Sequence, residues 1–232
     1  MRLKFHPLSC FLSAAVLWIF FFFSILSCSS SRNAVFLQAV TEAPKTEEAY
    51  RITDFEGNAE GDGLPLWVSE YLERGIRGVE ALDTYRNRYV FIGSGEGDNF
   101  NALRHWSRGF TVYQDFALLA AQRIEERFYH GTEYYPDDEY GQFFAASMRR
   151  AYDLEYYGAV KEAVFWIKKQ IFEDENQEGG AERYEFLVLV SIEKPDLEAQ
   201  VRDILSINPT PKPIKRQASA IQRLRENFFE NF

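Results

Sequence analysis

One apolar stretch decides the fold of this chain: Tyr184-Glu185-Phe186-Leu187-Val188-Leu189-Val190-Ser191-Ile192. Its β-branched and aromatic residues alternate along the run, which is typical of a β-strand. Leu187 and Leu189 make the second face apolar as well, and a strand with two apolar faces belongs in the middle of a sheet. The stretch therefore predicts a central strand.

The residues before this strand predict its partner. The run from Ala163 to Phe172 fits a strand or a helix by its period alone, but Glu178-Gly179-Gly180 then supplies a turn signal. Together the two runs predict an antiparallel hairpin. A further strand is predicted at residues 88–92, a short β-branched and aromatic run that Gly93 ends.

Three segments have the spacing of amphipathic helices. The first runs from Leu103 to Phe128, with weak helix formers at 109–112 that predict a kink or a break. The second begins at Pro136 with three carboxylates that suit a helix start, and is expected to end at Gly158. The third covers 195–205. These elements predict an α+β fold, in which a small antiparallel sheet of about three strands packs against two or three helices.

A C-terminal segment, 207–232, follows this domain. It begins with an extended spacer at 209–213, because its three prolines cannot continue a helix. Beyond the spacer, Ala218, Ile221, Leu224 and Phe228 share one face of a predicted short helix. Two hypotheses remain open for this tail helix. It either folds back onto its own domain, or docks on a partner or a membrane.

The N-terminus has the pattern of a bacterial lipoprotein signal. Arg2 and Lys4 precede an apolar run from Leu8 to Leu26, and a serine comes directly before Cys28. Lipoprotein processing uses a basic region, an apolar region and a small residue before a cysteine, so we expect cleavage after residue 27 and acylation of Cys28. An ordinary secretory signal is one alternative. An uncleaved transmembrane helix is another, because about twenty apolar residues can span a bilayer.

Composition limits what the mature chain can do. Removal of residues 1–27 leaves 205 residues and moves the formal charge from −9 to −11, which disfavours nucleic acid as a partner. Cys10 leaves with the signal and Cys28 carries lipid, so no pair remains for a disulfide. We expect a lipidated N-terminus and spacer at 28–63, and one domain at 64–206.

One segment has the composition of a ligand-binding loop. Gly93, Gly95 and Gly97 follow a predicted strand and precede a predicted helix, as in a phosphate-binding loop. The spacing matches neither a dinucleotide fingerprint nor a P-loop, so a tight turn capped by Asp98 or Asn99 is favoured. In the alternative, the three glycines with Trp67 or Trp106 contact a ligand or a partner.

No other motif predicts catalysis, a metal or a cofactor. Glu126 and His130 are four residues apart, but two ligands do not make a metal site. The runs of adjacent carboxylates lack the order of a calcium loop and indicate solvated turns. The sequence therefore predicts no catalytic residue, no metal and no cofactor, and a chain that is not an enzyme.

The order of elements resembles that of a known family. Pro65-Leu66-Trp67-Val68 precedes a Tyr-Val-Phe-Ile-Gly strand, followed by an Asn-Ala-containing helix, a Trp-containing strand and a Tyr-Glu-Phe-Leu-Val-Leu-Val strand. Over about residues 64–206 this is similar to the LPP-twenty bacterial lipoproteins. The resemblance implies a small α+β domain displayed from a membrane in a diderm bacterium, with relatives among flagellar and envelope-associated lipoproteins. It implies no catalytic residues.

We therefore expect a membrane-anchored lipoprotein of the bacterial envelope with a non-enzymatic role in structure or protein interaction. Its partners would be membrane lipid, through acylated Cys28, and a protein of the envelope. The chain would be exported and held at the cell membrane or outer membrane, facing the periplasm or the cell surface. The alternative is a lipoprotein that binds a small molecule, or acts on one, through the glycine turn at 93–99.

Overall fold

A computed structural model of the chain describes residues 49–131, 139–172, 180–208, 212–230 and 232. Its four strands are β1 (Ala49–Phe55), β2 (Arg88–Gly97), β3 (Val160–Phe172) and β4 (Ala181–Glu193). Its six α-helices are α1 (Leu66–Glu80), α2 (Phe100–Gly109), α3 (Asp115–Gly131), α4 (Glu139–Asp153), α5 (Lys194–Leu205) and α6 (Lys215–Asn227). The α+β class is confirmed, with four strands where about three were expected, and six helices, including the expected tail helix α6, where two or three were expected besides that tail helix.

The strands form one sheet in the order β1-β3-β4-β2, and every neighbouring pair is antiparallel. The predicted hairpin is β3 and β4, and β4 has a neighbour on each side as expected of a central strand. Strand β1 lies within the segment that was expected to be spacer. It was missed because its inward residues Tyr50, Ile52 and Phe55 are only half-buried, and the polar residues Arg51 and Thr53 between them are exposed, as is typical of an edge strand.

The sheet separates two apolar clusters, because successive side chains of a strand point to opposite faces. On one face Tyr89, Phe91, Val188 and Val190 pack with residues of α3, α4, α5 and α6, and we call it the four-helix face. On the other, the α1 face, Val90, Ile92, Leu187 and Leu189 pack with α1. Covering on both faces explains why β4 is apolar at consecutive positions.

The predicted break in the first helix is confirmed. Helix α2 ends at Gly109 and α3 begins at Asp115. Thr111 occupies the connection, and both its backbone N–H and its hydroxyl donate to Asp115 Oδ2, at 2.7 and 3.1 Å. A side-chain hydrogen bond to the backbone is the ordinary way to satisfy a donor at the start of a helix. The helix predicted to start at Pro136 is described from Glu139 and ends at Asp153, before Gly158.

Helix α1 contains a sharp bend at Gly75. This residue has φ 68° and ψ −160°, a conformation that essentially only glycine adopts. The bend brings the two parts of the helix so close that a Cβ on Gly78 would lie 2.6 Å from the carbonyl oxygen of Glu70. Gly75 and Gly78 therefore allow α1 to bend while Val68, Tyr71, Ile76 and Val79 stay buried against the α1 face of the sheet.

The tail helix folds back onto its own domain, as the first of the two hypotheses for it proposed. Ile221, Leu224 and Phe228 are buried in the cluster on the four-helix face. Arg127 on α3 donates to the carbonyl oxygens of Phe228 and Asn227, at 2.7 and 2.9 Å. These bonds satisfy carbonyls that the end of a helix leaves without partners.

Candidate functional site

The three glycines of the expected turn lie inside strand β2. Residues 88–97 pair continuously with β4, up to the pair of Gly97 with Tyr184, so the prediction that Gly93 ends the strand was wrong. Tertiary pairing with an apolar central strand outweighs the weak strand propensity of glycine. The turn is reduced to Asp98 and Asn99, and the expected cap is present, since the Asn99 side chain accepts from Ala102 N at 3.0 Å.

The two candidate tryptophans lie on opposite sides of the sheet. Trp67 on α1 packs edge-on against Phe165, with ring centroids 6.4 Å apart, in the cluster on the α1 face. Trp106 on α2 packs against Phe110, with centroids 6.1 Å apart, beside the cluster on the four-helix face. The fold thus does not bring these two rings together around the glycines.

A cluster of charged side chains, which the sequence did not predict, lies under α1. Lys169 on β3 and Glu185 on β4 form an ion pair, with Nζ and Oε2 2.5 Å apart. Both side chains are nearly inaccessible, at 5% and 7% exposure. Glu96 on β2 lies 3.8 Å from the same Nζ, and the ring centroid of Tyr50 on β1 lies 4.7 Å from it. One lysine thus links all four strands.

The electrostatics of this cluster follow from its burial. Desolvation raises the pKa of Glu185 above its ordinary value, although Lys169 opposes the shift. Desolvation alone would lower the pKa of Lys169, but Glu185 and Glu96 outweigh it and raise that pKa. Burial, with Glu185 nearby, also raises the pKa of the Tyr71 hydroxyl. Lys169 is therefore held as a cation that the two carboxylates stabilise, so it is poorly suited to act as a nucleophile.

The sequence contains a weak signal for this cluster. In β3, Phe165 and Ile167 point to the α1 face, and Lys169 continues the same alternation. Glu185 likewise shares the parity of Leu187 and Leu189. Lys169 and Glu185 thus occupy positions that point to the buried face on two paired strands. This shared orientation could have predicted an ion pair between them.

A second buried charge closes the edge of the sheet at β2. Arg123 on α3 is 3% exposed and pairs with Glu80 on α1 at 2.9 Å. Its guanidinium also donates to the carbonyl oxygens of Val90 and Phe232, at 2.9 and 2.6 Å. The rings of Tyr89, Phe91 and Phe232 surround it, with centroids 4.9 to 5.2 Å from its Cζ. Such a desolvated cation gains from ring faces as well as from its carboxylate.

The described part of the chain shows no candidate metal site. Residues 49–131, 139–172, 180–208, 212–230 and 232 contain no group of three or more His, Cys, Asp or Glu side chains that could hold a metal ion. His105 is exposed on α2, and the His130 side chain lies outside the described set, so the Glu126 and His130 pair is not tested. Cys28 also lies outside the described residues.

Comparison with known proteins gives no relative. No family model, no curated protein and no solved structure matches the chain. The resemblance to the LPP-twenty lipoproteins therefore stays a prediction. Within the described ranges, no helix is both long enough and apolar enough to cross a membrane.

Proposed function

We propose that this chain is a lipid-anchored protein of the bacterial envelope, whose α+β domain acts through contacts with another protein rather than by catalysis. The proposal is carried by one observation, the basic and apolar N-terminal segment that ends at Cys28. A diacylglyceryl group and further acyl chains on Cys28 would hold the protein at the cell membrane or outer membrane. The domain would then face the periplasm or the cell surface.

The chemistry of anchoring supports a multiply acylated cysteine. Each buried methylene contributes about 0.8 kcal/mol, and one acyl chain gives only marginal, reversible binding to a membrane. Stable attachment therefore needs more than one chain, which lipoprotein processing of Cys28 would supply.

The arrangement of the domain favours a contact role over catalysis. Among the described residues, the buried side chains that carry a charge are Lys169, Glu185 and Arg123, and each is engaged with an opposite charge inside the fold. A general acid or base has to reach a substrate proton, and these side chains are nearly inaccessible. What such a domain offers to a neighbour is a rigid surface.

Acylation can be tested with a matched pair of variants of the full chain. We expect Cys28→Ala to abolish incorporation of radiolabelled palmitate and to leave the protein unprocessed or released from the membrane. Cys10→Ala is the control, because Cys10 lies within the segment to be removed and its loss should change neither readout. The mass of the mature N-terminus, starting at acylated Cys28, would support the proposal. Palmitate entering the Cys28→Ala protein would contradict it.

The contact role needs a separate measurement. Cross-linking in intact cells, followed by purification from detergent-solubilised envelopes, should recover a stoichiometric protein partner with the acylated chain. The Cys28→Ala chain should recover much less of it, because it is not held beside the partner. Recovery of the acylated chain alone, with no stoichiometric partner, would count against this half of the proposal.

A further inference from the structure

The start of helix α6 carries basic side chains that form no ion pair with any acidic side chain of the described residues. From Ile204 to Arg225 the sequence has no Asp or Glu but five Lys and Arg. Arg225 points inward and donates to the carbonyl oxygens of Leu205 and Ile207, at 2.7 and 2.8 Å. Lys212, Lys215 and Arg216 are exposed, and none of the three has an ion-pair partner among the described residues. We call these three residues, with Ile214, the α6 basic patch.

Ile214 adds an apolar side chain to this patch. It is 61% exposed, among the largest exposures of an apolar side chain in the described part of the chain. Its backbone N–H donates to Gln217 Oε1 at 2.8 Å, which ties Ile214 to the first turn of α6. An isolated exposed isoleucine is ordinary on a protein surface, but one between Lys212 and Lys215 combines apolar and cationic contact in one place.

The positions of these charges are unfavourable for the stability of α6. Lys215 and Arg216 lie in the first turn of α6, which has no acidic residue, and the positive end of the helix dipole disfavours cations there. Residues that oppose the electrostatic preference of their own helix, with no stabilising contact in return, are candidates for a functional role. The far end of α6 is held by buried Ile221, Leu224 and Phe228, so the patch has a fixed position on the domain surface.

We infer that the α6 basic patch binds the anionic phospholipid headgroups of the membrane in which the chain is anchored, with Ile214 entering the boundary with the acyl chains. This inference rests on the proposed function, since lipid attachment brings the domain close to a bilayer. After removal of residues 1–27 the chain has a formal charge of −11, so an anionic surface repels it as a whole. A local cluster of cations is what allows one face to approach, and each such residue strengthens membrane binding about five-fold.

The test places an environment-sensitive fluorophore at the patch. The full chain with Ile214→Cys is labelled with a nitrobenzoxadiazole and reconstituted into two kinds of vesicle, phosphatidylcholine alone and an equimolar mixture of phosphatidylcholine and phosphatidylglycerol. We expect the emission to shift to the blue only in the mixed vesicles. The shift should weaken as salt is added, because salt screens exposed charges.

Matched charge variants locate the effect. Lys215→Gln with Arg216→Gln should reduce the docked-to-free ratio roughly twenty-five-fold, from about five-fold for each charge. Arg104→Gln with Arg108→Gln removes two exposed charges from α2 and should leave the ratio unchanged. The exchange of Lys215→Arg with Arg216→Lys should also leave it unchanged, since headgroup attraction depends on charge. Circular dichroism spectra that match the parent chain show that each variant is folded.

Three results would overturn the inference. The first is that the emission shows no blue shift in the mixed vesicles. The second is that phosphatidylcholine vesicles alone give the same blue shift as the mixed vesicles. The third is that Arg104→Gln with Arg108→Gln lowers the docked-to-free ratio as much as Lys215→Gln with Arg216→Gln.

If Cys28 is not acylated, the proposed function fails, and the labelling experiment shows this separately. The mature chain would then keep a free cysteine, and the parent chain without Ile214→Cys would itself react with the label. In that event the same measurement in a Cys10→Ser and Cys28→Ser background tests the patch by itself.

Discussion

Arg123 and Glu80 form an ion pair that closes around the backbone of Val90 at the edge of the sheet. Glu80 Oε1 accepts from Val90 N–H and Arg123 Nη1 donates to the Val90 carbonyl, both at 2.9 Å. Val90 lies on edge strand β2, where alternate backbone groups point away from the neighbouring strand. Because Glu80 belongs to α1 and Arg123 to α3, the pair also joins the layers on the two faces of the sheet.

Loss of Arg123 should destabilise the whole domain. Arg123→Ala leaves Glu80 without its partner and two carbonyls without a donor, and breaking a buried pair costs about 3–5 kcal/mol. Urea unfolding followed by tryptophan fluorescence measures the change. The control is Arg104→Ala, an exposed arginine on α2, for which a change within about 0.5 kcal/mol is expected. Equal effects of the two substitutions would show that the ion pair at Val90 contributes nothing specific.

The Lys169 and Glu185 pair should behave as a coupled unit. Either Lys169→Met or Glu185→Leu leaves one buried charge uncompensated and should lower the free energy of unfolding by about 3–5 kcal/mol. The double variant removes both charges and should recover most of that loss, because apolar replacements of a buried pair are often neutral or stabilising. A double-mutant cycle in urea gives the coupling energy. If the two single losses simply add in the double variant, the side chains do not depend on each other.

The raised pKa of Glu185 predicts a particular pH dependence. Because that pKa is higher in the folded state than in the unfolded chain, the folded state holds the proton more tightly. The cost of burying the carboxylate is therefore present at neutral pH, and it is relieved as pH falls through the folded-state pKa towards 4.5.

The Glu185→Gln variant has no such proton to bind. The free energy of unfolding of the parent chain, minus that of the variant, should rise as the pH is lowered. Urea titrations of both proteins over this range measure the difference, and parallel curves would contradict it. Glu96, Lys169, Tyr50 and Tyr71 surround the same site and are common to both proteins.

Alternation and turn signals predicted the hairpin and the break after Gly109, because both are local properties of the sequence. The glycines of β2 were misjudged for the opposite reason. Gly97 is in a strand because it pairs with Tyr184, far away in the chain, and local propensity contains no information on that partner. The Arg123 and Glu80 pair was missed for the same reason, since it joins helices whose adjacency is decided by the folded sheet.

Gly75 should tolerate no other residue without loss of stability. Its φ of 68° and ψ of −160° would strain any side chain, so Gly75→Ala should cost about 1–3 kcal/mol. Gly109→Ala is the matched control, because a Cβ there would meet nothing within 4 Å and the residue ends α2. We expect that substitution to be neutral or slightly stabilising, by up to about 1 kcal/mol. Urea midpoints compare the two, and similar losses would show that the bend in α1 is not specific to glycine.

The docked tail helix makes the stability of the domain depend on its C-terminal segment. Phe228 is fully buried against the rings of Phe128, Phe229 and Phe232, so Phe228→Ala should cost about 3–5 kcal/mol. Ile214→Ala alters the same helix at an exposed position and should change stability by less than about 0.5 kcal/mol.

Hydrogen exchange distinguishes a docked helix from a separate one. If α6 is part of the cooperative unit, Phe228→Ala raises exchange in α3 and α4 as well as in α6, because Phe228 packs in one cluster with both. Faster exchange confined to α6, with the remaining helices unchanged, would show that the tail folds independently of the domain.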